Sequence, residues 1–517
     1  MSNAKSNLGH IVLITLSAAI GGFLFGFDSS VINGANGALK IHFNATDYQL
    51  AWAVSLALIG AAIGAYFAGR LADMFGRVRC MLAASALFLV SAIGSGVPFG
   101  IPDFIMWRVI GGVGIGVASI IAPIYIAETA PAHLRGRLGS MQQFAIVIGI
   151  FVALLSNYLI VRIAGSANNV CVGGFKAWQI MFWVEIIPAA LYGVAAWRLP
   201  ESPRYLVQKG RLAEAKEVLA KIDSEGVDKE IESIHETFKN EKPAKLADLL
   251  EVVGGKKRIA PIVWAGLGLA ILQQLVGINV IFYYGTMLWQ SVGFGESDAF
   301  LTSVISSGVN LVMTIVAIML IDKIGRKPLL LIGSIGMAIT LGTLTACFMS
   351  ANADGSLPGA AGVIALIAAN LYITFFAATW GPVMWVMLGE MFNNRIRAVA
   401  IAICGLAQWG ANFIVTWSFP VLTGKDGIGV GPTYLIYTFF AAFSVFFVAK
   451  FINETKGKEL EEMWFFWLDE HHRVELGTVL PCEFVLRAQH AEQGEHRLLG
   501  GATVPFGRFD EQVEECL

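Results

Sequence analysis

The sequence predicts an all-α polytopic membrane protein with 12 transmembrane helices in two six-helix halves around a central cavity. Three observations carry that reading. Of the 517 residues 56% are hydrophobic and only 14% charged, with a mean hydropathy of +0.66, far more apolar than a soluble domain of this length. About twelve runs reach the roughly 20 apolar residues needed to cross about 30 Å of hydrocarbon. Short motifs of the first half return in the second at similar offsets, the mark of a duplicated architecture.

The runs centre near residues 10–30, 49–69, 79–97, 104–127, 138–161, 177–198, 260–289, 299–321, 328–349, 361–388, 398–420 and 432–452. The first is too long for a signal-peptide core, carries Asp28 and lacks a convincing cleavage site, so it counts as a span. Lysine and arginine mark the cytoplasmic loops. Arg70, Arg77 and Arg79 lie between spans 2 and 3, Arg135 and Arg137 between 4 and 5, Lys323, Arg326 and Lys327 between 8 and 9, and Arg395 and Arg397 between 10 and 11. The alternate loops carry almost none, so both termini are expected in the cytoplasm.

The longest polar interruption sets the domains: residues 1–199 form one half, 200–258 a cytoplasmic linker with short charged helices such as Arg211 to Ile222, 259–455 the second half, and 456–517 a cytoplasmic tail. A net charge of −2 gives no basis for a nucleic-acid partner. The six cysteines (Cys80, Cys171, Cys347, Cys404, Cys482 and Cys516) show no metal-ligand spacing and no disulfide framework, and no cofactor is expected. Gly60 with Gly64 and Gly112 with Gly116 have the spacing of closely packed helices.

The recurring motifs sit at the cytoplasmic ends. Asp73-Met-Phe-Gly-Arg77 returns as Asp322-Lys-Ile-Gly-Arg326, Glu128 with Arg135 as Glu390 with Arg397, and Pro200-Glu201-Ser202 as Asn453-Glu454-Thr455. Carboxylates and guanidiniums so placed are candidates for a cytoplasmic gate, paired between helices when that side is closed and separated when it opens. Ordinary surface ion pairs, worth about 0–1 kcal/mol each, are the plainer alternative.

Within the seventh run, Leu272 to Tyr284 reads LQQLVGINVIFYY and buries Gln273, Gln274 and Asn279 in apolar surroundings. An amide there without a partner costs about 2–7 kcal/mol, so the three should face polar groups, a watery cavity or a ligand. On a straight helix of 3.6 residues per turn Gln274 and Asn279 point about 140° apart, and Gly277 between them permits a break. Interrupted helices that expose amides near the midplane are a transporter device; polar glue between helices is the other use of such residues. Charges inside the spans add a second centre. Asp28, Arg108 and Glu185 fall in spans 1, 4 and 6; facing lipid, each would cost about 2.5–3.5 kcal/mol on insertion scales. They must be paired or hydrated, and Asp28 with Arg108 is the obvious pair.

Taken together, GRLADMFGR at 69–77, WRVIGG at 107–112, ETAPAHLRGR at 128–137, PESPRYL at 200–206, QQLVGIN at 273–279, DKIGRK at 322–327, GPVMW at 381–385 and ETKG at 454–457 resemble the sugar porters of the major facilitator superfamily over roughly residues 10–465, bacterial glucose transporters above all. The chain departs from that pattern at Asn393, Ala398 and Asn453, where the family often has Pro, Gly and Pro. The resemblance implies the major facilitator fold. It also implies that Gln143, Gln273, Gln274, Asn279, Tyr283, Asn310, Trp385, Gln408 and Trp409 surround the sugar. Carboxamides both donate to and accept from hydroxyls, and an indole offers a face to the C–H side of a pyranose, so these residue types suit a neutral polyol. Proton-coupled members have an Asp and an Arg at the positions of Asp28 and Arg108, whereas passive animal glucose carriers have Asn at the first.

The expected function is hexose uptake, glucose first, across the inner (cell) membrane by alternating access coupled to proton symport through Asp28, Arg108 and Glu185. The protein is expected to work as a monomer, with sugar, proton and lipid bilayer as its partners. An equilibrative facilitator is the alternative within transport, and a sugar sensor the one outside it. No nucleophile, metal cluster or phosphate loop suggests an enzyme.

Overall fold

A computed structural model describes residues 2–129, 135–222, 249–253, 256–352, 355–392 and 396–456, with a few isolated positions between 227 and 235. Twelve helical spans cross it: Ile11–His42, Asp47–Phe75, Arg77–Gly96, Ile101–Thr129, Met141–Ala164, Ala177–Arg198, Pro261–Ser291, Glu296–Ile324, Arg326–Met349, Ala361–Met391, Val399–Thr423 and Val430–Phe451. They are spans 1 to 12 in that order. Exposed side chains on them include Ile63, Val90, Leu191, Ile339 and Phe439, as faces that meet acyl chains must.

Three spans are interrupted, each for a local reason. Span 6 breaks at Glu185, between Ala177–Val184 and Ile186–Arg198, where Pro188 withholds the N–H that would bind the Val184 carbonyl. Span 10 breaks at Thr379, between Ala361–Ala378 and Trp380–Met391, with Pro382 acting in the same way on Ala378. Span 7 breaks at Val276 and Gly277, between Pro261–Leu275 and Ile278–Ser291.

Close packing of spans 2 and 4 follows from their glycines. A Cβ at Gly60 or Gly64 would strike the Val109 or Val113 carbonyl, and one at Gly112 or Gly116 the Ala57 or Ala61 carbonyl. Between the halves, span 1 packs on span 7, span 2 on span 11 and span 5 on span 8. Exchanging the halves maps the 2–11 contact onto 8–5 and the 1–7 contact onto itself, as duplicated six-helix units require.

The linker holds helices at Pro203–Gln208 and Leu212–Ile222. It also holds one short antiparallel pair outside the membrane spans, Leu250–Val253 with Lys256–Ile259. The Gly254-Gly255 dipeptide in the sequence between these strands is a hairpin-turn signal. The tail beyond residue 456 lies outside the described residues, as do Asn393, Arg395 and the side chains of Arg135, Arg137 and Ala398.

Candidate functional site

The break in span 7 brings the amides together. Gly277 adopts a left-handed φ of 84°, which favours glycine, and a Cβ there would meet the Tyr437 ring at 2.7 Å. Tyr372 of span 10 donates its hydroxyl to the Val276 carbonyl at 2.7 Å, satisfying a backbone group at the interruption. Turned by this break, Asn279 Nδ2 reaches Gln274 Oε1 at 2.6 Å, although a straight helix would hold the two apart. Gln274 Nε2 donates to Gln273 Oε1 at 3.1 Å, and Gln408 Nε2 of span 11 donates to the same oxygen at 2.8 Å. Gln273 Nε2 closes the chain on the carbonyls of Trp380 and Gly381, at 3.0 and 3.3 Å, just past the break in span 10. Four carboxamides from two spans thus form one hydrogen-bonded circuit anchored on a third. Gln273 uses all of its bonding positions, whereas Gln274, Asn279 and Gln408 keep positions that the circuit does not use, so hydroxyls can be added at these three without stranding a member.

The remaining predicted residues lie outside this hydrogen-bonded circuit. Tyr283 is buried and interacts with the side chains of Asn412 and Ser29. Trp409 is half-buried, its ring 5.7 Å from that of Phe25, and Trp385 is 39% exposed, the accessibility an apolar face for a ligand needs. Asn310 is buried and Gln143 half-buried, and neither joins the circuit. Sequence reasoning missed Tyr372 and Asn412, whose types carry no signal by themselves. It also missed Gln142, buried against Gly22 with both amide atoms unpartnered.

The charged trio is fully enclosed: Asp28, Arg108 and Glu185 are 1%, 2% and 0% exposed. Arg108 Nη1 donates to Asp28 Oδ1 at 2.5 Å and Nη2 to the Asp28 carbonyl at 3.0 Å. Gly111 leaves room for the pair, since a Cβ there would lie 3.3 Å from Asp28 Oδ2. Glu185 sits at the break of span 6, electrostatically coupled to Asp28 and Arg108. Both its oxygens, Asp28 Oδ2 and Arg108 Nε lack hydrogen-bond partners. Two carboxyls facing one guanidinium carry one negative charge too many for a dry interior, and a single bound proton removes it. Tyr283, on the helix segment that carries Asn279, lies within electrostatic reach of Arg108 and Asp28.

At the basic end, the motifs build twin clusters. Arg77 forks onto Glu128, with both N–H···O contacts at 2.9 Å, and reaches Asp73 at 3.2 Å. Glu201 accepts from the backbone N–H of Arg77 at 2.9 Å, and Ser202 donates to Glu128 at 2.5 Å. In the second half Arg326 forks onto Glu390 at 3.0 and 2.7 Å and reaches Asp322 at 3.0 Å. There Glu454 accepts from the N–H groups of Arg326 and Lys327 at 3.0 Å each, and Thr455 donates to Glu390 at 2.6 Å. Asn453 in place of Pro therefore leaves the seat of Glu454 intact. Burial raises the Glu454 carboxyl, but backbone donors from Lys456, Arg326, Lys327 and Thr455 outweigh it and hold the group below the usual carboxylate range.

The pairs expected between helices are present, and each described cluster ties helices of one half. Arg326 holds both oxygens of Glu390, and Arg397 Nε donates to the Phe392 carbonyl at 3.2 Å. At the opposite end, hydrogen bonds do join the halves. Ser166 Oγ and Ala167 N donate to Glu296 at 3.2 and 2.9 Å, and Asn33 and Asn36 bond to span 7.

The sequence model of the family described as "Sugar (and other) transporter" matches residues 14–467. Over 466 residues the chain is 53% identical to the glucose transport protein of Synechocystis sp., covering 89% of this chain and 98% of that protein. Over 509 residues it is 36% identical to the D-xylose-proton symporter of Escherichia coli K12, covering 92% and 100%. The inward-open structure of the E. coli xylose transporter XylE matches with a TM-score of 0.74 at 36% identity, covering 88% of this chain and all of that one.

Proposed function

The chain belongs to the sugar transporter family, and from that premise we propose that it takes up a hexose, glucose first, by alternating access, one proton entering with each sugar. The basic end faces the cytoplasm, a single chain suffices, and the arrangement described is inward-facing. The observation that carries the reading is the presence of both centres: a carboxamide circuit of Gln273, Gln274, Asn279 and Gln408, and the buried Asp28–Arg108–Glu185 trio, with Tyr283 of the Asn279 helix segment in electrostatic reach of Arg108 and Asp28. Glucose is preferred because the relative at 53% identity is a glucose transport protein, whereas the xylose symporter is more distant.

The circuit, with Gln143 and Asn310 completing its surroundings, binds the sugar hydroxyls, and the indoles cover its apolar face. The clamp of Arg108 on Asp28 is an attraction that needs the negative charge of the carboxylate. Protonation of Asp28 from outside cancels that attraction and frees Arg108, and this favours rearrangement of span 1 against spans 4 and 6. A proton entering down 100 mV supplies about 2.3 kcal/mol, roughly a 50-fold accumulation of a neutral sugar. Radiolabelled glucose uptake into proteoliposomes tests the scheme. Accumulation above equilibrium with an inward proton gradient, and equilibration without one, is expected. Equilibration in both conditions makes the protein a facilitator, and no uptake in either contradicts glucose as substrate.

A further inference from the structure

Three of the hydrogen bonds that join the halves on the outer side meet at Asn33 of span 1. Its Nδ2 donates to the Phe282 carbonyl at 3.0 Å and its Oδ1 accepts from the Thr286 backbone N–H at 2.9 Å. The Thr286 hydroxyl donates in turn to the Asn33 carbonyl at 2.5 Å. Three residues on, Asn36 Nδ2 donates to the Tyr283 carbonyl at 2.6 Å. Both asparagines are 0% exposed. The carbonyl of Phe282 and the N–H of Thr286 stand four residues apart, which makes them the two groups an α-helix pairs with each other. The Asn33 carboxamide therefore engages one rung of the span 7 ladder from outside, with a donor for its acceptor and an acceptor for its donor.

We infer that Asn33 is a positioning residue that ties the helix carrying the proton site to the helix segment carrying Asn279 and Tyr283, and that it does so only while the outer side is closed. The inference rests on the transport reading above. It follows from where the groups lie and from what release would leave behind. Asn33 is five residues past Asp28 on one helix, so a movement of span 1 reaches the latch directly. When the latch lets go, Phe282 and Thr286 still have each other, and span 7 strands no backbone group. The carboxamide is then bathed in the water of the opened side. Both arrangements satisfy the backbone, which gives a two-position device. The side chain must donate and accept at once; leucine does neither, and aspartate cannot donate once ionised.

The test places spin labels at Val172 and Ile428, exposed at the outer ends of the two halves, in an otherwise cysteine-free protein reconstituted in lipid. In Asn33→Leu the distance distribution should shift to longer separations. KM for external glucose should fall while maximal uptake drops by roughly 5-fold or more, since the closed-outside state is disfavoured. Thr286→Val, which keeps the backbone N–H, should shift both readings the same way by less. It also serves if Asn33→Leu does not fold. Unchanged distances, or lost uptake with an unaltered KM, overturn the proposal. Glucose uptake by the labelled parent separates the two readings: an inactive parent counts against the transport reading, whereas unchanged distances in an active parent count against the latch alone.

Discussion

Compared at their basic ends, the two halves are nearly superimposable in chemistry: a forked arginine on a glutamate, an aspartate one turn away, and a second glutamate on backbone N–H groups. Compared at mid-membrane they differ. The N-terminal half encloses ionisable groups with unpaired atoms, at Asp28, Arg108 and Glu185; the C-terminal half closes its polar side chains into a circuit through Gln273, Gln274, Asn279 and Gln408. Duplication kept the braces that hold helix ends. The middle of one half therefore carries ionisable side chains and the middle of the other carboxamides.

If the halves are specialised in this way, substitutions in each should fail differently. Arg108→Leu should have the largest effect. It leaves two carboxyls buried with no counter-charge, a loss of about 3–5 kcal/mol, seen as a lowered unfolding temperature in detergent. Adding Asp28→Asn should restore part of it, and a double variant no more stable than the single would break the comparison. Gln274→Leu cuts the circuit and strands Asn279, at about 1–3 kcal/mol. Glucose KM should rise roughly 5- to 100-fold, while the pH dependence of uptake stays that of the parent. A changed pH dependence would mean that the halves do not divide the labour as described.

The smallest effect belongs to the braces. The Glu454 carboxyl is held low, so its contribution is full above the ordinary carboxylate range and is lost as pH falls through its depressed folded value. Glu454→Gln should therefore remove under about 1 kcal/mol at neutral pH and flatten the acid-side loss of stability. Melting curves between neutral and acidic pH would show this; a variant that keeps the parent's full slope would assign the acid sensitivity elsewhere.

The twelve spans were legible because hydropathy reports burial in hydrocarbon directly. Where the reading fell short, polar pairing was the cause. The first run was placed at 10–30, whereas span 1 continues to His42. Asn33, Asn36 and Lys40 lower its hydropathy, and the two asparagines are satisfied by span 7, a partner about 250 residues away in sequence that no local pattern reveals. The break at Gly277 could be foreseen from amides on opposite helix faces. Those in spans 6 and 10 follow from Pro188 and Pro382, whose apolar surroundings keep the hydropathy of each run continuous across the break. Arg397 shows the limit of motif symmetry, since two arginines compete for Glu390 and only geometry decides between them.

The central claim, that Asp28 converts a proton gradient into sugar accumulation, is tested most directly by Asp28→Asn in proteoliposomes. With an inward pH gradient the variant should exchange labelled for unlabelled glucose, yet fail to accumulate it above equilibrium. Accumulation at the parent's level in Asp28→Asn would contradict the account.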